Sequence, residues 1–167
     1  GLDVSCSVAV HNLCFTDDTL TEFDSHFKLM PPLRTQLDRK ALIKGLKDGT
    51  IDFVTTDHRP MDIEHKRVEF DNASDGTIGL ESAFGMLNQI FDLDTTISLL
   101  TKGRERYGIE TPVLKVGENA ALTLFDPDQE YTFEEEDILS NSKNSCFVGS
   151  KLKGKVYGIV SNNQIIN

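Results

Sequence analysis

The chain has 167 residues, with 17 Lys and Arg against 27 Asp and Glu, and a formal net charge of -10. This length is enough for one ordinary domain. The acidic excess, with no basic tract to offset it, argues against binding of nucleic acid or of an anionic membrane, because both select clustered Lys and Arg. The apolar runs are far shorter than the roughly 20 residues that cross a bilayer. Because the first residues lack the pattern of a signal peptide, we expect a cytoplasmic protein.

Three cysteines, Cys6, Cys14 and Cys146, are scattered along the chain without a CxxC pair. An odd number at such spacing predicts neither a disulfide framework nor a cysteine zinc site. We therefore expect buried free thiols.

The first strand is predicted over residues 4–10, where Val and Cys alternate with small residues up to His11. Because it follows Gly1 directly, we expect the chain to be part of a longer protein. Further on, Pro31 and Pro32 exclude regular structure.

A helix that Asp38 caps and Gly49 ends comes next, and residues 51–57 follow as a short buried strand. This order is typical of an α/β repeat. Residues 61–76 are charged and loop-like, and helices are predicted over 80–91 and 95–107, the second entered through Asp94.

The predicted secondary structure changes at Pro112. Strands are predicted over 114–125 and 145–166, with an acidic run at 130–137 between them and a hairpin turn at 161–164. The sequence therefore predicts an α/β part over residues 1–112 and an all-β part over residues 113–167.

Asp57 is the strongest candidate for a catalytic residue, because it ends a predicted buried strand and is followed by His58. Catalytic groups of α/β barrels lie at the carboxyl ends of strands, where a carboxylate can bind a divalent metal and move a proton. The alternative is that Asp57 caps the next turn and His58 is a hydrogen-bonded core histidine. Spacing alone slightly favours this alternative over the catalytic one.

The other histidines and the glycines give weaker signals. His11 ends the first strand and could share an edge with Asp57, although a lone histidine there is more often structural. His26 and His65 lie in charged segments that we expect to be solvated. No HxH or HExxH pair is present, so a metal site would need ligands from elsewhere. The glycines around residues 76–79 favour loop geometry over a phosphate loop.

Several motifs in register resemble the C-terminal part of the dihydroorotases, in the amidohydrolase superfamily. The match is closest from about residue 4 to residue 87. It rests on Lys28-Leu29-Met30-Pro31-Pro32-Leu33-Arg34, Asp38-Arg39, Ala41-Leu42, Gly45-Leu46, Asp48-Gly49-Thr50-Ile51-Asp52-Phe53, Thr56-Asp57-His58 with Pro60, and Gly79-Leu80-Glu81.

The resemblance implies the last strands and helices of a (β/α)8 TIM-type barrel, followed by the C-terminal half of a small β-sandwich. It implies zinc-dependent interconversion of N-carbamoyl-L-aspartate and L-dihydroorotate in pyrimidine synthesis. Asp57 matches the family's metal ligand and proton shuttle, and Asp75 and Gly76 match its substrate-contacting loop. His11, His58 and Arg34 are possible rim residues. The other ligands of the dinuclear zinc centre precede the matched region.

Two positions depart from the family's pattern. Met30 stands where the family has a substrate-contacting Asn, and Met61 where it has a substrate-contacting His. Thioethers cannot donate hydrogen bonds to a carboxylate. The alternative is therefore a non-catalytic homologue that serves as a structural partner of aspartate carbamoyltransferase. Other expected partners are the small-molecule substrate, the remainder of the barrel and a second copy in a homodimer.

Overall fold

The computed structural model describes residues 2–162 and 164–166. Its first sheet pairs two short parallel strands, β1 (Ser7–Ala9) and β2 (Phe53–Thr55), whose last residues face each other. Helices α1 (Val10–Cys14) and α2 (Gln36–Asp48) lie between them in the chain. Parallel strands need such a crossover, so the predicted α/β repeat is confirmed.

Strand β1 is shorter than the predicted strand over residues 4–10. Val4 is exposed, and Val10 already belongs to α1. Val8, Ala9 and Val10 are all buried although they follow one another. Such continuous burial is typical of a parallel strand that is covered on both faces, and it replaces the one-sided alternation expected from the sequence.

Helix α2 begins earlier than predicted because Thr35, and not Asp38, is its N-cap. The Thr35 hydroxyl accepts a hydrogen bond from the Asp38 amide at 3.3 Å, and the Asp38 carboxylate accepts one from the Thr35 amide at 3.1 Å. This reciprocal arrangement is a capping box, in which Asp38 is the third helical residue. Gly49 ends the helix in a left-handed conformation, as predicted.

Irregular chain follows β2, with short 3-10 turns at Ile63–His65 and Phe70–Asn72, so the predicted loop over 61–76 is confirmed. The next helices are α3 (Ala83–Ile90), α4 (Leu93–Thr101) and α5 (Gly103–Arg106). The helix predicted over 95–107 is thus divided into α4 and α5. Asp92, rather than Asp94, caps α4 by accepting a hydrogen bond from the Thr95 amide at 2.9 Å.

The second sheet is antiparallel and consists of β3 (Leu122–Thr132), β4 (Lys151–Ser161) and β5 (Gln164–Ile166). The strand predicted over 114–125 was largely wrong, because residues 114–121 are not in a strand and β3 continues into the acidic run. The predicted hairpin is supported by the pairing of Ser161 with Gln164, while Asn163 of its turn lies outside the described residues.

One apolar core connects the two sheets. Helix α3 packs closely on β4, where a Cβ added to Gly85 would lie 2.9 Å from Cβ of Leu152. Fully buried core residues come from both parts of the chain: Leu13, Ile78, Leu87, Phe147 and Leu152. Among the described residues, no helix is long and apolar enough to span a membrane.

Candidate active-site rim

Asp57 lies two residues beyond the last paired residue of β2, at the carboxyl end of the strand. Its φ of +46° is unusual for a residue with a side chain, and such conformations concentrate at functional sites. The Asp57 amide donates to the Thr55 hydroxyl at 3.3 Å. Across residues 2–162 and 164–166, the Asp57 carboxylate accepts no hydrogen bond, so it does not cap the following turn. This carboxylate is available to a ligand.

His11 lies at the same edge, in the first turn after β1. Its side chain is 1% exposed, and its Nε2 donates to the Pro31 carbonyl at 3.2 Å. Since a carbonyl can only accept, the proton is on Nε2, and Nδ1 has no partner within the described residues. Burial lowers the pKa of His11, while the Pro31 carbonyl and the Asp57 charge oppose that shift. The structure thus brings an imidazole and a carboxylate to one rim.

The loop that contains Pro31 and Pro32, here called the Pro-Pro loop, is attached to this rim by its backbone carbonyls. Besides the His11 contact, Asn12 Nδ2 donates to the Pro32 carbonyl at 3.0 Å. Met30, just before the prolines, is half exposed. The Arg34 side chain is exposed and reaches only to within 4.0 Å of Asp38, at the start of α2. The loop is therefore fixed through its main chain, whereas Met30 and Arg34 project outward.

His58 holds a turn of the chain. Its Nδ1 accepts hydrogen bonds from the amides of Gly79 and Leu80, at 3.2 and 3.3 Å. A ring nitrogen that accepts two donors carries no proton, so the proton is on Nε2. His58 is thus hydrogen-bonded, but it is only partly buried and is not the core histidine of the structural alternative.

Gly76 is a position where a side chain would not fit. Its φ is +124°, and an added Cβ would lie 2.7 Å from Cδ of Arg59. The Gly76 amide donates to the Lys28 carbonyl at 3.0 Å, which joins the loop carrying Asp75 to the start of the Pro-Pro loop. The two segments that the resemblance assigns to substrate contact are therefore connected directly.

Lys66 is a residue that the sequence analysis missed. It is 1% exposed, and its ammonium donates to the carbonyls of Ser25 and Lys28 at 2.8 and 3.1 Å. Burial lowers the pKa of Lys66. A lysine within a charged loop gives no signal of burial, because the carbonyls that hold it come from distant sequence.

Asn144 was missed for the same reason. It is fully buried, and its side-chain amide donates to the Arg59 carbonyl at 3.0 Å and accepts from the Met61 amide at 3.4 Å. The Met61 amide also donates to the Ser142 hydroxyl at 3.1 Å. Met61, which is partly buried, is thus held through its backbone by residues of the C-terminal part.

A complete metal site is not formed by the part of the chain that the structure describes, where no three His, Cys, Asp or Glu side chains converge. The donor chemistry of Asp57 fits one ligand position of a metal centre. Any further protein ligands would have to come from outside the described residues.

Solved structures define the class of the fold. An L-hydantoinase (dihydropyrimidinase) from Arthrobacter aurescens superposes with a TM-score of 0.87 at 24% identity, covering 98% of this chain and 39% of that one. An inactive dihydroorotase-like domain of a CAD-like multifunctional protein from Chaetomium thermophilum gives a TM-score of 0.65 at 21% identity, covering 99% and 44%. The chain therefore has the fold of part of these TIM-barrel proteins.

Sequence comparison is more specific. Dihydroorotases of Caldicellulosiruptor saccharolyticus and Chlorobaculum tepidum are each 39% identical to this chain, over 99% of its length. The chain spans about 40% of the length of these curated relatives. No protein-family model matches the chain. The chain is thus homologous to part of the dihydroorotases, and the resemblance drawn from its motifs is confirmed.

Proposed function

We propose that the chain supplies the Asp57-bearing, C-terminal part of a dihydroorotase-like cyclic amidohydrolase. The reaction is the interconversion of N-carbamoyl-L-aspartate and L-dihydroorotate in pyrimidine biosynthesis. The proposal rests above all on the Asp57 carboxylate, which accepts no hydrogen bond from the described part of the chain and shares a strand-end rim with His11. In this proposal, residues 1–112 complete a barrel and residues 113–167 contribute to a β-sandwich.

Zinc is the metal we propose for the intact protein, with Asp57 as one of its ligands. When bound, zinc would polarise the ring amide and make water more acidic. No group of three possible ligands forms within residues 2–162 and 164–166, so ligands from the rest of the protein are needed to complete a dinuclear site.

The proton transfers of this reaction suit Asp57. During ring opening, a water oxygen bonds to the amide carbon, the carbon–nitrogen bond breaks, and a proton must pass from the water to the leaving nitrogen. Asp57 would take that proton and deliver it, because its carboxylate is partly accessible and makes no competing hydrogen bond among the described residues. Asp75 and Gly76 would contact the substrate through their backbone.

The test is dihydroorotate hydrolysis by the full-length protein loaded with zinc. We expect activity in the wild type and its loss in Asp57→Asn, which keeps the shape but cannot carry the proton. Asp94→Asn, which changes an exposed carboxylate of α4, is the matched control and should retain activity. Wild-type activity that survives Asp57→Asn would refute the role of this residue.

The 167-residue chain alone is expected to be inactive, because it offers one ligand of a dinuclear centre. Zinc titration into this chain, followed by an assay for dihydroorotate hydrolysis, tests that expectation. Turnover above the metal-only background would contradict it.

A second candidate function follows from Met30 and Met61. Thioethers at two polar substrate positions favour a non-catalytic homologue that supports aspartate carbamoyltransferase, and one structural neighbour is itself described as an inactive dihydroorotase-like domain. Metal analysis discriminates the two. The scaffold is favoured if the full-length protein binds no zinc at saturating concentration and comigrates with aspartate carbamoyltransferase in gel filtration. The enzyme is favoured if the protein binds zinc and elutes at the volume of a homodimer.

A further inference from the structure

We infer that Asn144 is a positioning residue that holds the segment after Asp57 and the segment after Gly76 in one fixed arrangement. The inference rests on the proposed function for its catalytic consequence. It assigns a role in the active site to a residue of the C-terminal part, far from Asp57 in sequence.

The side chain of Asn144 contacts the segment after Asp57 at two residues. Its Nδ2 donates to the Arg59 carbonyl at 3.0 Å, two residues beyond Asp57. Its Oδ1 accepts a hydrogen bond from the Met61 amide at 3.4 Å and also contacts the Ser142 hydroxyl, whose one proton faces both this oxygen and the Met61 carbonyl. One carboxamide thus pairs with an acceptor and a donor of the same short segment.

The backbone of Asn144 holds the second segment. Its carbonyl accepts hydrogen bonds from the Ile78 amide at 3.1 Å and from the Thr77 hydroxyl at 3.3 Å. Asn144 and Thr77 are both fully buried. The two segments also contact each other, because the Arg59 amide donates to the Thr77 carbonyl at 2.8 Å. Asn144 therefore lies against a junction between the Asp57 and Gly76 segments.

The contacts require the chemistry of an asparagine. A carboxamide presents a donor and an acceptor on one short planar group, whereas a carboxylate of the same shape only accepts. Asn144→Asp would place an acceptor against the Arg59 carbonyl and force these groups apart. A displacement of about 1 Å at a site can lower catalysis by up to roughly a hundredfold.

Asn88 provides a matched control. It is also buried, at 7% exposure, and its Nδ2 donates to two carbonyls, those of Pro127 at 2.8 Å and Lys153 at 3.1 Å. It lies in α3 against the second sheet, and none of these contacts involves the Asp57 or Gly76 segments. Asn88→Asp therefore imposes a similar burial defect away from the rim.

The experiment compares Asn144→Asp and Asn88→Asp in the zinc-loaded full-length protein. We expect both to lower the melting temperature, but only Asn144→Asp to raise KM for dihydroorotate, by about tenfold or more. Amide exchange should accelerate at Met61 and Ile78 in Asn144→Asp alone. An unchanged KM and unchanged exchange at these amides, alongside an equal loss of melting temperature, would overturn the inference.

Two further measurements keep the result decisive. If Asn144→Asp does not fold, Ser142→Ala removes the hydroxyl that contacts Asn144 and both the amide and the carbonyl of Met61. A smaller rise in KM is then expected, whereas no rise counts against the inference. If the wild type lacks activity, the proposed function fails, and the exchange rates of Met61 and Ile78 decide the role of Asn144 by themselves.

Discussion

His11 and Asp57 occupy equivalent places on neighbouring strands, because each lies two residues beyond the pair formed by Ala9 and Thr55. Parallel strands end at the same edge, so this register alone brings an imidazole and a carboxylate to one rim. The imidazole is buried and attached to Pro31, whereas the Asp57 carboxylate accepts no hydrogen bond from the residues that the structure describes. His11 thus supports the loop, whereas the Asp57 side chain contributes no such contact among the described residues.

Replacing His11 with phenylalanine should lower the free energy of unfolding. His11→Phe keeps a buried ring but leaves the Pro31 carbonyl without its donor, which is expected to cost about 1 to 3 kcal/mol of unfolding free energy. His65→Phe, at an exposed position, should change stability by no more than about 0.5 kcal/mol. Urea denaturation of both variants measures the difference, and equal effects would show that the His11 contact contributes nothing.

Restoring the family's polar residues should improve substrate binding if the site is active. Met30→Asn with Met61→His returns two donors to positions where thioethers cannot pair with a charged ring. Each unpaired group costs about 1 to 3 kcal/mol, so the double variant is expected to raise kcat/KM for dihydroorotate at least tenfold. Steady-state kinetics measure it. A decrease would mean that the methionines serve a different substrate.

Gly76 should tolerate alanine far less well than Gly49. Both have a positive φ, +124° at Gly76 and +78° at Gly49. A Cβ added at Gly49 would have no heavy atom within 4 Å, whereas one added at Gly76 would lie 2.7 Å from Cδ of Arg59. Gly49→Ala is expected to cost about 1 to 2 kcal/mol from the left-handed backbone alone. Gly76→Ala should cost more and also raise KM. Thermal unfolding and kinetics of both variants test this, and equal stability losses with equal KM would refute the close approach.

The cysteines should differ sharply in reactivity. Contrary to the expectation of buried thiols, Cys6 is exposed, whereas Cys14 is partly buried and Cys146 is buried. Burial raises the pKa of Cys14 and Cys146, the latter to about 12. Since the protonated Cys146 thiol is favoured by folding, its contribution to stability is complete below pH 9 and is lost as the pH rises towards 12. At pH 8, an alkylating reagent should therefore modify Cys6 rapidly and the other two only after denaturation. Peptide mass spectrometry identifies the modified residues, and rapid native labelling of Cys146 would contradict its burial.

The parts of the structure that depend on local chemistry were predictable from the sequence. Gly49 ends α2 because only a residue without a side chain enters the left-handed region without cost, and β2 ends shortly before Asp57 because the apolar run stops there. The strand predicted over residues 51–57 is shorter in the structure, where it covers Phe53–Thr55 and only Val54 is buried. The helix caps were misplaced by a few residues. Thr35 and Asp92 compete with nearby Asp38 and Asp94 for the same role, and only backbone geometry selects between them.

The motifs themselves determined the relationship to the dihydroorotases, since their order and spacing are properties of the sequence. Only the tertiary structure decided the roles of Lys66 and Asn144. Their partners are backbone carbonyls and amides as far as 85 residues away, and every residue type presents these groups. No pattern of side chains therefore distinguishes Lys66 from an exposed lysine, or Asn144 from a turn asparagine, until folding brings the partner segments together.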